Sequence, residues 1–268
     1  MAAGTKSGLP RDVGVIHHGA MKTIGLIGGM SWHSTLNYYR VINELVAERI
    51  GGHASAKVVL ESLDFAEIRD CQVRGDWAGA GRLLAEAGQR CEQSGAEVVL
   101  ICTNLMHRVA DDVQAAIDVP LLHIADAVAE RARASGWSRL GVLGARWVME
   151  EDFYVGRLAN AGLTVDVPGE ADRADVDRII FDELTLGRVD ERSRATYTDI
   201  IKRLQDSGSE ALVLACTEIE LLIRPEDSPI PLLDSMRTHA EAAVATALGD
   251  QLPGPSLTPP KPPRSRAA

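Results

Sequence analysis

Four cysteines in 268 residues are too few to staple a disulfide scaffold. None of Cys71, Cys91, Cys102 and Cys216 has the Cys-x-x-Cys spacing of a structural metal site. Long apolar runs are missing as well. Residues 98–102 and 211–216 reach the length of a buried strand, far short of the ~20 residues a spanning helix needs. Lysine is scarce. Only Lys6, Lys22, Lys57, Lys202 and Lys261 occur, none on an obvious strand-end loop, which argues against a pyridoxal phosphate Schiff base. Residues 1–20 lack the apolar stretch of a secretory signal. Basic charge is outweighed, 28 Lys and Arg against 38 Asp and Glu, giving −10. That balance disfavours nucleic acid or an anionic membrane as partner. A reduced, cytoplasmic protein without a metal is the expectation.

The ends differ from the middle. Residues 251–268 hold six of the twelve prolines, and pieces such as Thr258-Pro259-Pro260-Lys261-Pro262-Pro263 cannot build a core. Residues 1–20 and 250–268 are therefore expected to be disordered, leaving a folded body of about 21–249.

The body repeats itself. Lys22-Thr23-Ile24-Gly25-Leu26-Ile27-Gly28-Gly29 reads as a buried strand entering a glycine turn, and Arg139-Leu140-Gly141-Val142-Leu143-Gly144-Ala145 reads alike 116 residues later. The segment from Gly95 through Val98-Val99-Leu100-Ile101-Cys102-Thr103 returns 113 residues on, from Gly208 through Leu212-Val213-Leu214-Ala215-Cys216-Thr217. Val119-Pro120-Leu121-Leu122 is matched by Ile230-Pro231-Leu232-Leu233. Helical periodicity covers 34–50, 77–94, 151–160, 174–186 and 191–207, with Leu36, Tyr39, Val41, Ile42, Leu45 and Val46 available as the apolar face of the first. Gly95, Gly162, Gly187 and Gly208 sit just past helices, and Asp126 and Asp234 read as helix N-caps. Strands apolar throughout, alternating with helices, imply parallel sheets covered on both faces. The expectation is an α/β fold of two similar lobes related by a pseudo-two-fold, 21–119 plus 232–249 and 120–231, sharing one cleft at their strand C-termini.

Chemistry concentrates at two strand ends. The turn Gly25-Leu26-Ile27-Gly28-Gly29-Met30-Ser31 is not a dinucleotide fingerprint, though its spare N–H groups suit a carboxylate and a plain tight turn is the alternative. Ile101-Cys102-Thr103-Asn104-Leu105-Met106-His107 ends one strand and Leu214-Ala215-Cys216-Thr217-Glu218-Ile219-Glu220 ends its counterpart. Cys216 emerges beside polar residues, where a helix N-terminus can lower a thiol pKa from ~8.5 towards neutrality. Cys71 and Cys91 read as packing, and His107, His123 and His239 as structural, with orientation of the site as the alternative for His107, four positions beyond Thr103.

The segments Leu100-Ile101-Cys102-Thr103-Asn104 and Leu214-Ala215-Cys216-Thr217-Glu218 resemble the two signatures of the aspartate/glutamate racemase family. Gly28-Gly29-Met30-Ser31, Cys71 to Gly75, Met149 to Tyr154 and Ile180-Phe181-Asp182-Glu183-Leu184 resemble its bacterial amino-acid racemase branch, so that the likeness spans about 21–249. The resemblance implies racemisation without a cofactor: two acid/base groups flank the α-carbon of a small acidic amino acid, aspartate or glutamate, in a homodimeric isomerase. It implies Cys216 as the main base. At the other signature the family order is Cys-Asn-Thr, whereas here it is Cys102-Thr103-Asn104-Leu105. Anchoring on the Asn puts Thr103 at the catalytic position. The repeat gives the same register, since Cys216 lies eight residues after Gly208 and Thr103 eight after Gly95. Cys102 remains the alternative if a bulge shifts the strand. Threonine is a poorer base than a thiol, so an asymmetric site is expected.

By the same resemblance Met30, Gln72, Asn104, Leu105, Glu183, Thr217 and Glu218 are candidates for holding substrate. Leu105 stands where the family prefers a hydroxyl, and Glu220 where a small or polar residue is common. Two alternatives stay open: an isomerase or decarboxylase of small carboxylic acids on this scaffold, and a catalytically weak amino-acid-binding member.

Overall fold

The computed structural model describes residues 21–250; the remaining stretches, 1–20 and 251–268, read above as solvated tails, lie outside the described residues. The first half runs β1 (Ile24–Gly28), α1 (Trp32–Ile50), β2 (Val58–Ser62), α2 (Phe65–Arg74), α3 (Trp77–Gln93), β3 (Val98–Ile101), α4 (Ala110–Ala116), β4 (Leu121–Leu122) and α5 (Ile124–Ala134). The second runs β5 (Arg139–Gly144), α6 (Arg146–Glu150), α7 (Val155–Asn160), β6 (Thr164–Asp166), α8 (Glu170–Asp182), α9 (Glu191–Asp206), β7 (Ala211–Ala215), α10 (Ile219–Leu222), β8 (Leu232–Asp234) and α11 (Ser235–Leu248).

Each half builds a four-stranded sheet, in the orders β2-β1-β3-β4 and β6-β5-β7-β8. Every pairing is parallel. The repeated segments take matching places: β1 with β5, β3 with β7, β4 with β8. β1, β3 and β7 are buried along their whole length, which is why these strands are apolar at every position rather than alternating.

The crossovers sit one strand away from the expected boundaries. Leu121–Leu122 pair with β3 in the first sheet, although residues from 120 were assigned to the second lobe. Leu232–Asp234 pair with β7 in the second sheet, although residues from 232 were assigned to the first. Helix α11 then returns to the first lobe, where Met236, Ala240, Ala243, Val244 and Ala247 close a core with Ile24, Leu26, Tyr38, Val41 and Val46. A second core lies between the other sheet and α8 and α9. The largest joins the inner faces of both sheets through α3, α5 and α7, so the lobes share apolar interior.

Several local expectations shift. On α1 the buried stripe is Tyr38, Val41, Ile42, Leu45 and Val46 together with Ser34 and Thr35, while Leu36 and Tyr39 are 56% and 50% exposed. Small polar side chains take the inner face at this end because they bind strand termini there: Ser34 Oγ donates to the Cys102 carbonyl at 3.0 Å. Of the helix read at 151–160 only 155–160 forms, as α7; residues 151–154 are the turn that separates it from α6. Asp126 is not an N-cap; His123 Nδ1 accepts from Ala125 N–H at 3.1 Å, and Asp126 forms a forked pair with Arg157 at 2.6 and 2.7 Å. Asp234 does cap α11, accepting from Arg237 N–H at 2.8 Å.

The turn after β1 is fixed from three sides. Leu63 N–H donates to the Gly28 carbonyl at 3.0 Å, Gly29 N–H to Thr35 Oγ1 at 2.9 Å, and Thr35 Oγ1 in turn to the Ser31 carbonyl at 3.1 Å. Gly29 N–H is therefore spent and is not free for a carboxylate. A Cβ at Gly29, which sits at φ +90°, would lie 2.0 Å from the Leu63 carbonyl oxygen, so only glycine fits. Gly29→Ala is expected to cost at least about 2 kcal/mol, read as a lowered urea midpoint; an unchanged midpoint would show that the turn relaxes freely.

Candidate active site

The two sets of strand C-termini face each other across a narrow cleft of about 50 Å³. Met30, Ser31, Phe65, Gln72, Thr103, Asn104 and Leu105 line it from the first half. Ala145, Val148, Ile180, Phe181, Thr185, Ala215, Cys216, Thr217 and Glu218 line it from the second. Of the nine residues singled out from sequence, eight meet here. Glu183 does not: its Oε2 accepts from Ser193 Oγ at 2.6 Å and its Oε1 from Arg178 at 3.0 Å, which ties it into the α8–α9 connection.

The strand register separates Thr103 from Cys102. Successive side chains on an extended strand point to opposite faces. Cys102 is 1% exposed and packs in the core under α1 and α11, where burial pushes its thiol pKa far up. Thr103 is half-buried and lines the cleft. Its neighbour Asn104 donates through Nδ2 to Ser235 Oγ at 3.0 Å, and Ser235 Oγ donates to the Leu214 carbonyl at 2.7 Å. A hydrogen-bonded chain thus connects the end of β3 to β7. Asn104 Oδ1 is buried beside the cleft with no partner, an acceptor held ready. Leu105, buried and apolar, adds wall rather than a donor.

Opposite, Cys216 Sγ donates to Glu218 Oε2 at 3.2 Å, and Thr217 Oγ1 donates to the same oxygen at 2.8 Å. The expected activation by a helix end is not what the geometry provides. α10 has four residues, too short for a substantial dipole. Burial, followed by the Glu218 charge, pushes the Cys216 thiol well up, so in the empty cleft it is a protonated thiol with a carboxylate as its acceptor. On the first wall, Gln72 Nε2 donates to Met106 Sδ at 3.2 Å, and its Oε1 accepts from Arg69 at 3.2 Å.

Sequence reasoning passed over Phe65 and Thr185, which carry no signature of their own, and in the segment 180–184 it singled out Glu183 rather than Phe181, which lines the cleft. It also passed over Arg69, whose guanidinium lies 4.3 Å from the Phe181 ring centroid and so spans the mouth from α2 to α8. Glu220 lies off the cleft. Burial raises its carboxyl to about 10, assisted by Asp234 and Glu218, and its Oε1 has no partner. The three buried histidines are neutral: burial lowers His107 to about 4 and His239 to about 3, and lowers His123 strongly as well. Among the described residues no group of three or more His, Cys, Asp or Glu could hold a metal ion, and no helix is long and apolar enough to cross a membrane.

The model of the Asp/Glu/hydantoin racemase family matches residues 27–243. A solved structure of a candidate Asp/Glu racemase from Yersinia pestis is 48% identical, covering 85% of this chain and all of that one, with a TM-score of 0.81. An aspartate racemase homologue from Pyrococcus horikoshii OT3 is 33% identical over 85% of this chain and 99% of that one, with a TM-score of 0.74. The fold extends to glutamate racemase from Francisella tularensis in complex with D-glutamate, 12% identical over 86% and 82% of the two chains, with a TM-score of 0.60.

The buried titrating groups set a pH dependence. Unfolding below pH ~6.5 lets three histidines take up protons that the folded state refuses, while Glu220, protonated when folded, gives one up above pH ~4.5. Net uptake is about two protons, so stability should fall by up to about 2.7 kcal/mol per pH unit between pH 6.5 and 4.5. Glu220→Gln removes the opposing group: stability rises at pH 8 and the acid-side slope steepens. Urea midpoints at pH 8, 6 and 5 measure both, and a flat profile would contradict this charge assignment.

Proposed function

The chain belongs to the Asp/Glu/hydantoin racemase family, and we propose from that premise that it is a cofactor-independent amino-acid racemase, an isomerase acting on aspartate or glutamate. The observation that carries this reading is the pairing of Thr103 and Cys216, which stand at equivalent strand ends and line the same cleft from its two halves.

In this mechanism the Cys216 proton passes to Glu218, its acceptor at 3.2 Å. The resulting thiolate removes the α-proton from one face. A thiol with a raised pKa yields a stronger base once ionised, which suits a weak carbon acid. The Thr103 hydroxyl delivers a proton to the opposite face and is reprotonated through water, which takes up in exchange the proton that Glu218 received, so the site returns to its starting state. Asn104 Oδ1, the unpartnered acceptor, suits the substrate ammonium. Because a hydroxyl is a poor base, removal by Cys216 outpaces removal by Thr103. Proton NMR in deuterium oxide with each enantiomer of aspartate and glutamate tests this. The α-proton signal is expected to fall faster from one enantiomer, Cys216→Ser is expected to abolish that loss, and Thr103→Ala is expected to block inversion. Equal rates from both enantiomers would sink the asymmetric assignment, and no exchange in the parent would sink the racemase reading.

An acidic substrate is supported by Arg69. It binds Gln72 and stacks on Phe181, both cleft residues, and has no carboxylate partner among the described residues. A guanidinium with spare donors suits a side-chain carboxylate. Arg69→Met should raise KM for aspartate and glutamate by roughly 10-fold or more, the loss of one charge-assisted contact, with kcat nearly unchanged. An unchanged KM would remove Arg69 from the binding site.

A further inference from the structure

Behind Thr103 lies a buried group of three imidazoles. The His107 ring centroid is 4.5 Å from that of His123 and 5.5 Å from that of His239. Each ring is pinned by hydrogen bonds to fixed groups. His239 Nε2 bonds the Leu122 carbonyl at 2.9 Å, and its Nδ1 meets the Tyr38 hydroxyl at 2.9 Å. His123 Nδ1 accepts from Ala125 N–H at 3.1 Å. His107 is held at both ends. Its Nε2 accepts from Ile124 N–H at 3.2 Å, which leaves Nδ1 as the protonated nitrogen, and Nδ1–H donates to the Thr103 carbonyl at 2.8 Å.

We infer that His107 is a positioning residue for the Thr103 half of the reaction. Thr103 lies two residues beyond the end of β3 and one beyond the last bond to the sheet, Cys102 N–H to the Ile27 carbonyl at 2.9 Å. The His107 N–H grips its carbonyl and refers it to the N-terminus of α5, so the hydroxyl is delivered to the cleft at a fixed place. The Cys216 carbonyl accepts instead from the Ile219 backbone N–H at 3.1 Å, within its own turn, so Cys216 is set by β7, that turn and Glu218 and takes nothing from His107. One face of the substrate therefore depends on His107 and the other does not. This inference rests on the racemase reading.

The two bonds of His107 can be separated. Asn has an amide nitrogen where His has Nδ1, so His107→Asn keeps the bond to Thr103 and loses the acceptor for Ile124. Gln reaches the Nε2 position, so His107→Gln keeps the acceptor for Ile124 and loses the grip on Thr103. Deuterium wash-in from each enantiomer separately, and inversion of each, are measured for the parent and both variants. In His107→Gln, wash-in from the enantiomer that faces Thr103 is expected to fall at least about 10-fold, as kcat rather than KM, because a misplaced group loses rate steeply with small displacements. Wash-in from the enantiomer that faces Cys216 stays within about 3-fold, while inversion falls for both. His107→Asn is expected to restore the lost rate. Equal losses from both enantiomers, or equal losses in Asn and Gln, would overturn the inference and leave His107 a core residue. Absence of exchange in the parent would overturn the racemase reading and this inference with it.

Discussion

A single hydroxyl, that of Ser235, joins the two halves at the point where their strand ends meet. It accepts from Asn104 and donates to the Leu214 carbonyl, so the residue after Thr103 and the strand leading to Cys216 are measured from the same oxygen. Packing along the shared core is largely non-directional, and the ion pairs that link the lobes, Asp126 with Arg157 and Arg108 with Glu151, lie away from the meeting strand ends. Hydrogen bonds within 3.0 Å at both ends of one small side chain fix the strand ends relative to each other. The position of Ser235 as the first residue of α11, capped by Asp234, makes the link rigid.

Around this link the protein keeps its interior electrically quiet. The Cys216 thiol is protonated, the Glu220 carboxyl is protonated, and His107, His123 and His239 are uncharged. Burial dominates in every case. The exposed charge of the cleft reduces to Glu218 on one wall and Arg69 near the mouth. On the proposed reading, a zwitterion with an extra carboxylate would then meet few competing fields, and both reacting side chains, Cys216 and Thr103, start neutral.

Much of this was legible in the chain. The internal repeat alone predicts two like sheets, because three apolar segments recur in the same order, and it also sets the register that sends Thr103 rather than Cys102 into the cleft. What stayed hidden depends on long-range contact. The inner face of α1 could not be read from hydrophobicity, because Ser34 and Thr35 turn inward to serve backbone groups while Leu36 and Tyr39 face out. Asp126 looked like a cap until Arg157, on the far side of the chain crossover, claimed it. Glu183 carries a family signature but spends its carboxylate on Ser193 and Arg178. Glycine positions argue for turns, yet only the approach of Leu63 shows that Gly29 admits nothing larger.

The return of α11 to the first lobe bears on how the polypeptide is made. Strands β1 to β4 are complete by residue 122, yet part of one face of their sheet waits for a helix that begins at Ser235. During synthesis α1 can cover Ile24 and Leu26 early, but the side of this face at Val98 and Leu100 that α11 covers stays open while the whole second sheet is translated. The amino-terminal half therefore cannot mature ahead of the rest. A ribosome stalled before residue 235 would hold a half-covered sheet with apolar surface open to chaperones, and the arrival of α11 closes it.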